Sequence, residues 1–242
     1  MKSIILATFL FFGLTCFAGL ERFTYQGGFG LTFYQGDIGE SVATAQALRY
    51  NIKGGFNFRL YKFLGLHYHL SYTVIHHNDQ YSSDPGRLER GIFFENKLIH
   101  SGIHLSLNQF ISPYTNIIHY FYIGLDAAAM QVRMEKRSGA RPLVQEGEYS
   151  YFQFLGPIGL GLGYRVTQRV GIVSEFTYYV SNTDYLDGTS YNGTPKNTDS
   201  FVTYNLMATI KLGKIKRSRR PSFNSRRYRL HRFEIPAVYD YN

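Results

Sequence analysis

A two-residue alternation of side-chain character, repeated along most of the chain, constrains the fold more than any other feature. In Leu64–Val74 (LGLHYHLSYTV), every second residue from Leu64 is apolar, and the residues between them are Gly, His, Ser or Thr. Asn51–Leu60 (NIKGGFNFRL) likewise separates Ile, Gly, Phe and Leu from Asn, Lys and Arg. Side chains of a strand point alternately to opposite faces, so this pattern predicts strands with one wholly apolar face.

Eight stretches follow the pattern, and the connections between them alternate between short turns and long polar segments. This arrangement is typical of an outer-membrane barrel, whose strands alternate apolar-out and polar-in between short periplasmic turns and long external loops. The sequence therefore predicts an all-β, eight-stranded antiparallel transmembrane β-barrel. The predicted strands are Thr24–Tyr34, Asn51–Leu60, Leu64–Val74, Phe94–Leu107, Tyr114–Met130, Phe152–Arg165, Val170–Val180 and Phe201–Leu212.

Three segments divide the chain. Residues 1–18 combine one Lys with an apolar run and a small-residue exit, which predicts a secretory signal peptide. The barrel is expected over residues 19–212 and a basic tail over residues 213–242. The only cysteine, Cys16, lies within the predicted signal, so disulfides and thiolate chemistry are not expected in the mature chain. A lipid anchor on Cys16 is the weaker alternative.

The inward face of such a barrel should be packed and polar, because eight strands enclose too little space for an aqueous channel. Arg or Lys facing lipid near the midplane would cost about 2–4 kcal/mol each, which favours confinement of charges to the interior. A Glu175–Arg59 ion pair is expected there, and Gly159, Gly161 and Gly163 should thin one wall. The predicted inward polar residues are Arg59, His67, His69, His100, His104 and Glu175.

Tyrosines near the strand ends are expected to form the interfacial girdles that border a membrane. They are Tyr25, Tyr34, Tyr72, Tyr114, Tyr164, Tyr178 and Tyr204.

The inward histidines raise two alternatives, a metal site and a hydrolase. No carboxylate or thiol lies at the usual ligand spacing beside them, so a hydrogen-bonded interior is favoured and no cofactor is predicted. A Ser–His hydrolase would draw on Ser71, Ser101, Ser106 or Ser174, none of which lies in a nucleophile-elbow context. A protein without enzymatic activity is expected.

The formal net charge of +9 is concentrated in the C-terminal segment, which begins directly after the last predicted strand. An even number of strands returns this end to the side of the N-terminus, so the tail is expected in the periplasm, where no DNA is present. Binding to an acidic protein partner is predicted, with anionic lipid headgroups or peptidoglycan as the alternative. The residues expected to bind are Lys214, Lys216, Arg217, Arg219, Arg220, Arg226, Arg227, Tyr228, Arg229, Arg232 and Phe233.

Five stretches carry a resemblance to a known family. They are GGFGLTFYQGDIG (Gly27–Gly39), LRYNIKGGFNFRLYKFLGLHYHLSY (Leu48–Tyr72), ISPY (Ile111–Tyr114), GPIGLGLGYRVTQRVGIVSEFTYY (Gly156–Tyr179) and NTDYLDGTSY (Asn182–Tyr191). Together they resemble the PorG-like outer-membrane β-barrels of the type IX secretion system of Bacteroidota. YQGDIG is similar to the family's Tyr-x-Gly-Asp-Leu, and TDYLDGTS to its Thr-Asp-Tyr-Leu-Asp-Asp-Val-Ser, with Gly188 and Thr189 replacing the second acid and the Val.

The resemblance implies a barrel that anchors a periplasmic ring, made of a lipoprotein and its partner, to the outer membrane. That machine exports proteins with a C-terminal targeting domain and is linked in some species to gliding. No catalytic residues are implied, and the matched Gly36, Asp37, Asp184, Tyr185 and Asp187 would shape the outer loops. Contacts with outer-membrane lipid and with other barrels are further expectations. A stand-alone structural or adhesive barrel and a lipid-modifying enzyme remain as alternatives.

Overall fold

The computed structural model describes residues 23–35, 47–61, 63–81, 84–108, 116–136, 147–182, 186 and 199–212. The predicted signal peptide, the predicted tail with all its proposed binding residues, and the matched loop positions Gly36, Asp37, Asp184, Tyr185 and Asp187 lie outside this set.

Within the described residues, eight strands form one closed antiparallel barrel in which each strand pairs with its neighbours in chain order. This confirms the predicted fold. A 3-10 turn (Asp79–Tyr81) and one short helix, α1 (Pro85–Arg90), lie between the third and fourth strands. The strands are β1 (Phe23–Gln35), β2 (Arg49–Arg59), β3 (Leu64–Asn78), β4 (Ile92–Asn108), β5 (Ile117–Lys136), β6 (Gly147–Arg165), β7 (Val170–Ser181) and β8 (Ser200–Lys211).

None of the helices among the described residues has the length and apolar character needed to cross a membrane.

The barrel closes where β1 pairs with β8, from Thr24 opposite Lys211 to Gln35 opposite Ser200. Beyond the ladder, the Leu212 backbone N–H donates to the Phe23 carbonyl oxygen at 2.9 Å. The Lys211 N–H donates to the carbonyl oxygen of Arg169, in the turn between β6 and β7, at 2.8 Å. The last strand therefore ends beside the short turns, at what we call the short-turn end; the opposite end is the long-loop end.

Several strands extend farther toward the long-loop end than the alternation predicted. β5 continues to Lys136 and β6 begins at Gly147, within a segment expected to be a loop. In this extension Val132 and Met134 are buried, whereas Arg133 and Glu135 are exposed and form an ion pair with each other. The residues still alternate, but here the outward face is polar, which is why the segment was wrongly assigned to a loop.

Closer to the short-turn end, the outward face is apolar. Phe29 is 69% exposed and Leu125 is 61% exposed, with large apolar side chains around them on all eight strands. A continuous exposed apolar surface of this kind suits hydrocarbon and not water. We call it the apolar belt; it includes Phe29, Leu31, Ile52, Leu70, Ile99, Ile103, Ile123, Leu125, Phe154, Leu160, Ile172, Phe176, Leu206 and Ile210.

The tyrosine girdle was only partly where the sequence placed it. Tyr25, Tyr164, Tyr178 and Tyr204 are exposed on the outward face, and Tyr72 is half-buried. Tyr34 is an error of that prediction, because it is buried inside the barrel with its ring against Phe94 at 4.9 Å between centroids. Tyr114 lies outside the described residues.

The barrel interior is divided into two parts. Toward the long-loop end it is filled by apolar side chains, which we call the upper core: Tyr34, Ile75, Ile92, Phe94, Leu98, Ala128, Met130, Val132, Met134, Leu155, Tyr179, Leu186 and Phe201. Toward the short-turn end, behind the apolar belt, the interior is polar. We call this part the polar lumen; its buried members include Lys53, His67, His69, Thr73, His100, His104, Asp126, Glu175, Thr177 and Asn205.

Candidate functional site in the polar lumen

Five of the six residues predicted to face inward are buried in the polar lumen: His67, His69, His100, His104 and Glu175. Arg59 is different, because it lies at the last position of β2 and is exposed at the short-turn end. The cation that binds Glu175 is Lys53, six residues earlier on the same inward face of β2. The predicted Arg59–Glu175 pair is therefore wrong, since Arg59 sits beyond the depth at which the carboxylate lies.

Lys53 and Glu175 form a buried ion pair across the barrel. Lys53 Nζ lies 2.7 Å from Glu175 Oε1, and both side chains are 1% exposed. The Tyr120 hydroxyl donates to Glu175 Oε2 at 2.7 Å, and Lys53 Nζ also reaches the Tyr122 hydroxyl at 3.4 Å. A charge inside a lipid-enclosed barrel needs such a partner, because the penalty for an unpaired buried ion is several kcal/mol. The pair and its hydroxyl neighbours tie β2, β5 and β7 together.

Asp126 on β5 gathers three histidines from the two preceding strands. His104 Nε2 lies 2.8 Å from Asp126 Oδ1, and His100 Nδ1 lies 2.9 Å from Oδ2. His69 Nε2 is 3.0 Å from Oδ2, although it is not aligned for a hydrogen bond. We call these four residues the His–Asp cluster. No carboxylate lies at ligand spacing beside these histidines in the sequence, but strand pairing brings Asp126 beside Gly102, midway between His100 and His104.

Small residues create the space for the large polar rings. A Cβ atom added to Gly159 would overlap the ring of Tyr122, and one added to Gly161 would overlap the ring of Tyr120. These glycines of β6 lie on the buried face opposite the two tyrosines, in the wall where the sequence predicted thinning. They let both phenol rings lie flat against the wall with their hydroxyls directed toward Glu175 and Thr177.

Thr73, His100 and Asp126 are in contact in the order hydroxyl, imidazole and carboxylate, which is the order found in an acid–base relay. Thr73 Oγ1 lies 3.0 Å from His100 Nε2, whose other ring nitrogen contacts Asp126. All three side chains are fully buried, so the hydroxyl has no surface toward a substrate. Of the serines considered for a hydrolase, Ser71 and Ser106 are also buried in the interior. Ser174 instead donates to the Tyr204 hydroxyl at 2.9 Å, and Ser101 is half-buried on the outward face of β4.

Above the lumen, the upper core is closed by part of the last long loop. Asn96 Nδ2 donates to the Leu186 carbonyl oxygen at 2.7 Å, and the Leu186 N–H donates to Asp199 Oδ2 at 2.9 Å. Asp199 Oδ1 accepts a hydrogen bond from the Tyr34 hydroxyl at 2.8 Å. Leu186 belongs to the TDYLDG motif, and these contacts hold that point of the motif over the barrel.

Sequence reasoning missed Lys53 and Asp126 as members of the lumen. Lys53 was already on the polar face of its strand, but Arg59 on the same face was chosen as the partner of Glu175. Asp126 stands alone in the apolar run IGLDAAAM (Ile123–Met130). The signal that could have found it is parity, since Asp126 has the same inward parity as Tyr120 and Tyr122 on β5.

Comparisons with known proteins find structures of the same fold and no matching family. No protein-family model matches the sequence, and no curated protein is significantly similar to it. Among solved structures, the chain is similar to Neisserial surface protein A, with 12% identity, 78% of this chain and 97% of that chain covered, and a TM-score of 0.49.

Two further structures give the same result. The outer membrane protein OprG from Pseudomonas aeruginosa matches with 12% identity, 79% and 96% coverage, and a TM-score of 0.42. The outer membrane enzyme PagL matches with 15% identity, 77% and 98% coverage, and a TM-score of 0.37. At these values the likeness concerns the fold, and it does not choose between a structural protein and an enzyme.

Proposed function

We propose that this chain is an outer-membrane barrel subunit of the type IX protein secretion machinery, without enzymatic activity, that anchors a periplasmic ring to the membrane. The family resemblance of Gly27–Tyr191 first suggests this role. The observation that carries it is the position of Leu212, which is hydrogen-bonded to Phe23 at the short-turn end. The basic segment 213–242 continues directly from that point, on the side that faces the periplasm in barrels of this design.

The packed interior supports an anchoring role over transport through the barrel. The Lys53–Glu175 pair crosses the lumen, the His–Asp cluster fills it beside β3, β4 and β5, and the upper core fills the other half. A secreted protein would have to disrupt both. In this proposal the barrel is a rigid support, and its partners bind at its ends.

The absence of enzymatic activity is also part of the proposal. Its support is the burial of the titratable groups: the histidines and carboxylates of the described lumen are buried, and Ser174 on the outward face donates to a tyrosine hydroxyl. A lipid-cutting site would need a nucleophile and its base together at the membrane surface.

The tail is proposed to bind an acidic surface of the ring. Cations clustered between Lys214 and Arg232 would speed the encounter, and the aromatic residues Tyr228 and Phe233 would anchor the complex. Electrostatic steering is screened over about 8–10 Å at ordinary ionic strength, so binding should weaken as salt rises.

The test is affinity purification of the full chain from native outer membranes, with mass spectrometry of the co-purified proteins. Periplasmic ring proteins should accompany the full chain and be lost when residues 213–242 are deleted. A chain with Arg226, Arg227 and Arg229 changed to Gln should show the same loss, and its difference from the original chain should be largest at low salt, where the charges are least screened. Arg133→Gln, which removes an exposed cation at the long-loop end, is the matched control and should retain the ring proteins.

Secretion provides the second readout. Deletion of the gene should detach the ring from the outer membrane and stop export of proteins carrying the C-terminal targeting domain. If ring attachment and export both survive the deletion, the proposed function is wrong. Binding of the tail to anionic vesicles, without any co-purified protein, would instead assign the tail to lipid headgroups.

A further inference from the structure

The His–Asp cluster has the donor set of a transition-metal site. We propose that His69, His104 and Asp126 bind a Zn²⁺ ion inside the barrel. One donor atom from each of the three residues lies within 4.8 Å of the other two, and all three residues are buried. This inference concerns the lumen alone and does not depend on the role in secretion.

The spacing of the donors is close to that of a bound ion. Asp126 places one carboxylate oxygen 2.8 Å from His104 Nε2 and the other 3.0 Å from His69 Nε2. Ligands of a tetrahedral Zn²⁺, held at 2.0–2.2 Å, lie roughly 3.3 Å from one another. An ion bound here would replace the His104–Asp126 hydrogen bond, and the three side chains would rotate until their donor atoms surround it.

Among the three proposed ligands, His69 is the one with the fewest hydrogen bonds. Its side chain is fully buried, its Nδ1 has no hydrogen-bond partner among the described residues, and its Nε2, 3.0 Å from Asp126 Oδ2, is not aligned for a hydrogen bond. A buried polar atom without a partner costs about 1–3 kcal/mol, so such atoms are rare in folded proteins. Coordination of Nε2 to a metal would satisfy the nitrogen that faces Asp126.

The surroundings hold the three ligands in place, as outer contacts do in known metal sites. His100 uses both of its ring nitrogens, one on Asp126 and one on Thr73, so it is the residue that positions the carboxylate. The ring of His104 stacks on Tyr122 with centroids 4.8 Å apart and an angle of 5° between planes. A Cβ at Gly102 would overlap the Asp126 carboxylate, and one at Gly124 would overlap the His104 ring.

The chemical types of the three donor groups favour Zn²⁺. Two imidazoles and one carboxylate are a common zinc ligand set, whereas Ca²⁺ and Mg²⁺ prefer oxygen ligands throughout. One carboxylate also offsets half of the charge of a divalent ion in this lipid-enclosed interior. Among first-row divalent ions that accept such a set, Co²⁺ binds more weakly than Zn²⁺ and supplies a visible spectrum, which makes it a useful probe.

The experiment uses the full chain, purified from membranes without a polyhistidine tag and stripped with a chelator. Metal content is measured after dialysis against Zn²⁺, and affinity is measured by Zn²⁺ displacement of Co²⁺ followed by absorption. The expected result is one Zn²⁺ per chain and a Co²⁺ spectrum of low coordination number. His69→Gln, His104→Gln and Asp126→Asn should each weaken binding by more than the about 10–100-fold that loss of a contact outside the ligands costs in known sites.

His67→Gln is the matched control. His67 lies in the polar lumen on β3, the strand that also carries His69, and its Nε2 contacts Asn57 Nδ2 at 2.5 Å. It should bind Zn²⁺ like the original chain, and so should His119→Asn, which changes a half-buried histidine on the outward side of β5. Circular dichroism and heat-modifiable gel mobility report whether each variant folds.

A second measurement covers variants that fail to fold. A metal that binds the folded chain raises the unfolding temperature by mass action, so Zn²⁺ should stabilise the original chain and the His67→Gln control. Absence of stoichiometric Zn²⁺ together with an unchanged unfolding temperature would overturn the proposal. Equal Zn²⁺ affinity in the original chain and in folded Asp126→Asn would do the same.

Discussion

The buried ion pair between Lys53 and Glu175 yields the most quantitative prediction. Lys53→Met keeps an unbranched side chain as far as Cε and removes the ammonium group, which leaves the Glu175 carboxylate without its cation. Glu175 would still accept the Tyr120 hydroxyl at 2.7 Å and lie 3.4 Å from Thr177 Oγ1. Two neutral hydroxyls compensate a buried carboxylate less well than an ammonium group at 2.7 Å does.

The expected loss of stability depends on the two hydroxyl groups that remain around Glu175. Removal of one member of a buried pair typically lowers the free energy of unfolding by about 3–5 kcal/mol. Because the two hydroxyls remain, we expect Lys53→Met to fall near the lower limit, about 3 kcal/mol. Glu175→Gln should lower stability by a similar amount, since it leaves a buried ammonium group. The double variant removes both charges and should lie within about 1 kcal/mol of the original chain.

The assay is equilibrium unfolding by urea of the purified barrel in lipid vesicles. The chain has no Trp, so the signal is the fluorescence of its 21 tyrosines, with heat-modifiable gel mobility as an independent probe. Lys97→Met is the matched control, because Lys97 Nζ lies 3.5 Å from Glu95 Oε1 and its side chain is 50% exposed. An exposed pair of this kind contributes about 0–1 kcal/mol.

Two results would refute the reasoning. A loss below about 1 kcal/mol for Lys53→Met, equal to that of the surface control, would mean that the pair is hydrated and contributes little. A double variant whose loss equals the sum of the single losses would show that the two charges do not interact. With about 3 kcal/mol lost in each single variant and at most about 1 kcal/mol in the double variant, the expected coupling between the two positions is about 5 kcal/mol.

Two further predictions concern the walls of the barrel. Gly159→Ala places a methyl group against the Tyr122 ring and should lower the free energy of unfolding by about 1–3 kcal/mol. Gly54→Ala, whose added Cβ would have its nearest neighbour at 3.8 Å, should change it little, and equal losses in urea unfolding would contradict the packing argument. Leu125→Arg in the apolar belt should cost about 2–4 kcal/mol in lipid vesicles, whereas Gln131→Arg, farther along the same face of β5, should cost about 0–1 kcal/mol. The same small loss at both positions would mean that Leu125 does not face hydrocarbon.

The strands could be predicted from the sequence because, over the apolar belt, the alternation of apolar and polar residues matches the alternation of outward and inward side chains. Leu64–Thr73 is an example: its apolar residues lie on the outward face, and its Gly, His, Ser and Thr residues are buried in the interior. The upper parts of β5 and β6 could not be predicted in the same way. There Val132 and Met134 point inward and Arg133 points to solvent, so a polar and charged composition no longer marks a loop. Alternation identifies a strand in both parts of the barrel. Whether its outward face is apolar or polar depends on whether that face contacts lipid or water.

The site was predicted as a set of residues and not as a set of contacts. His69, His100 and His104 were assigned to the interior from parity alone, and they are buried there. Their shared partner Asp126 was missed because a contact across strands depends on register, which pairs Gly102 with Asp126 and cannot be read from spacing within one strand. The same limit explains the choice of Arg59 over Lys53 as the partner of Glu175.

The two halves of the interior explain why the charges lie where they do. Behind the apolar belt, outward residues contact lipid, and the interior holds the polar groups: Lys53, Asp126 and Glu175 are all in this half. Beyond the belt, the outward face carries Glu95, Lys97, Arg133 and Glu135, and the interior is mainly the apolar upper core, in which Asp199 is hydrogen-bonded to Tyr34 and Leu186. The long-loop half is thus built like a water-soluble barrel, and the short-turn half like a membrane barrel with a polar interior. Opening the barrel would expose polar lumen groups to lipid in one half and apolar core side chains to water in the other.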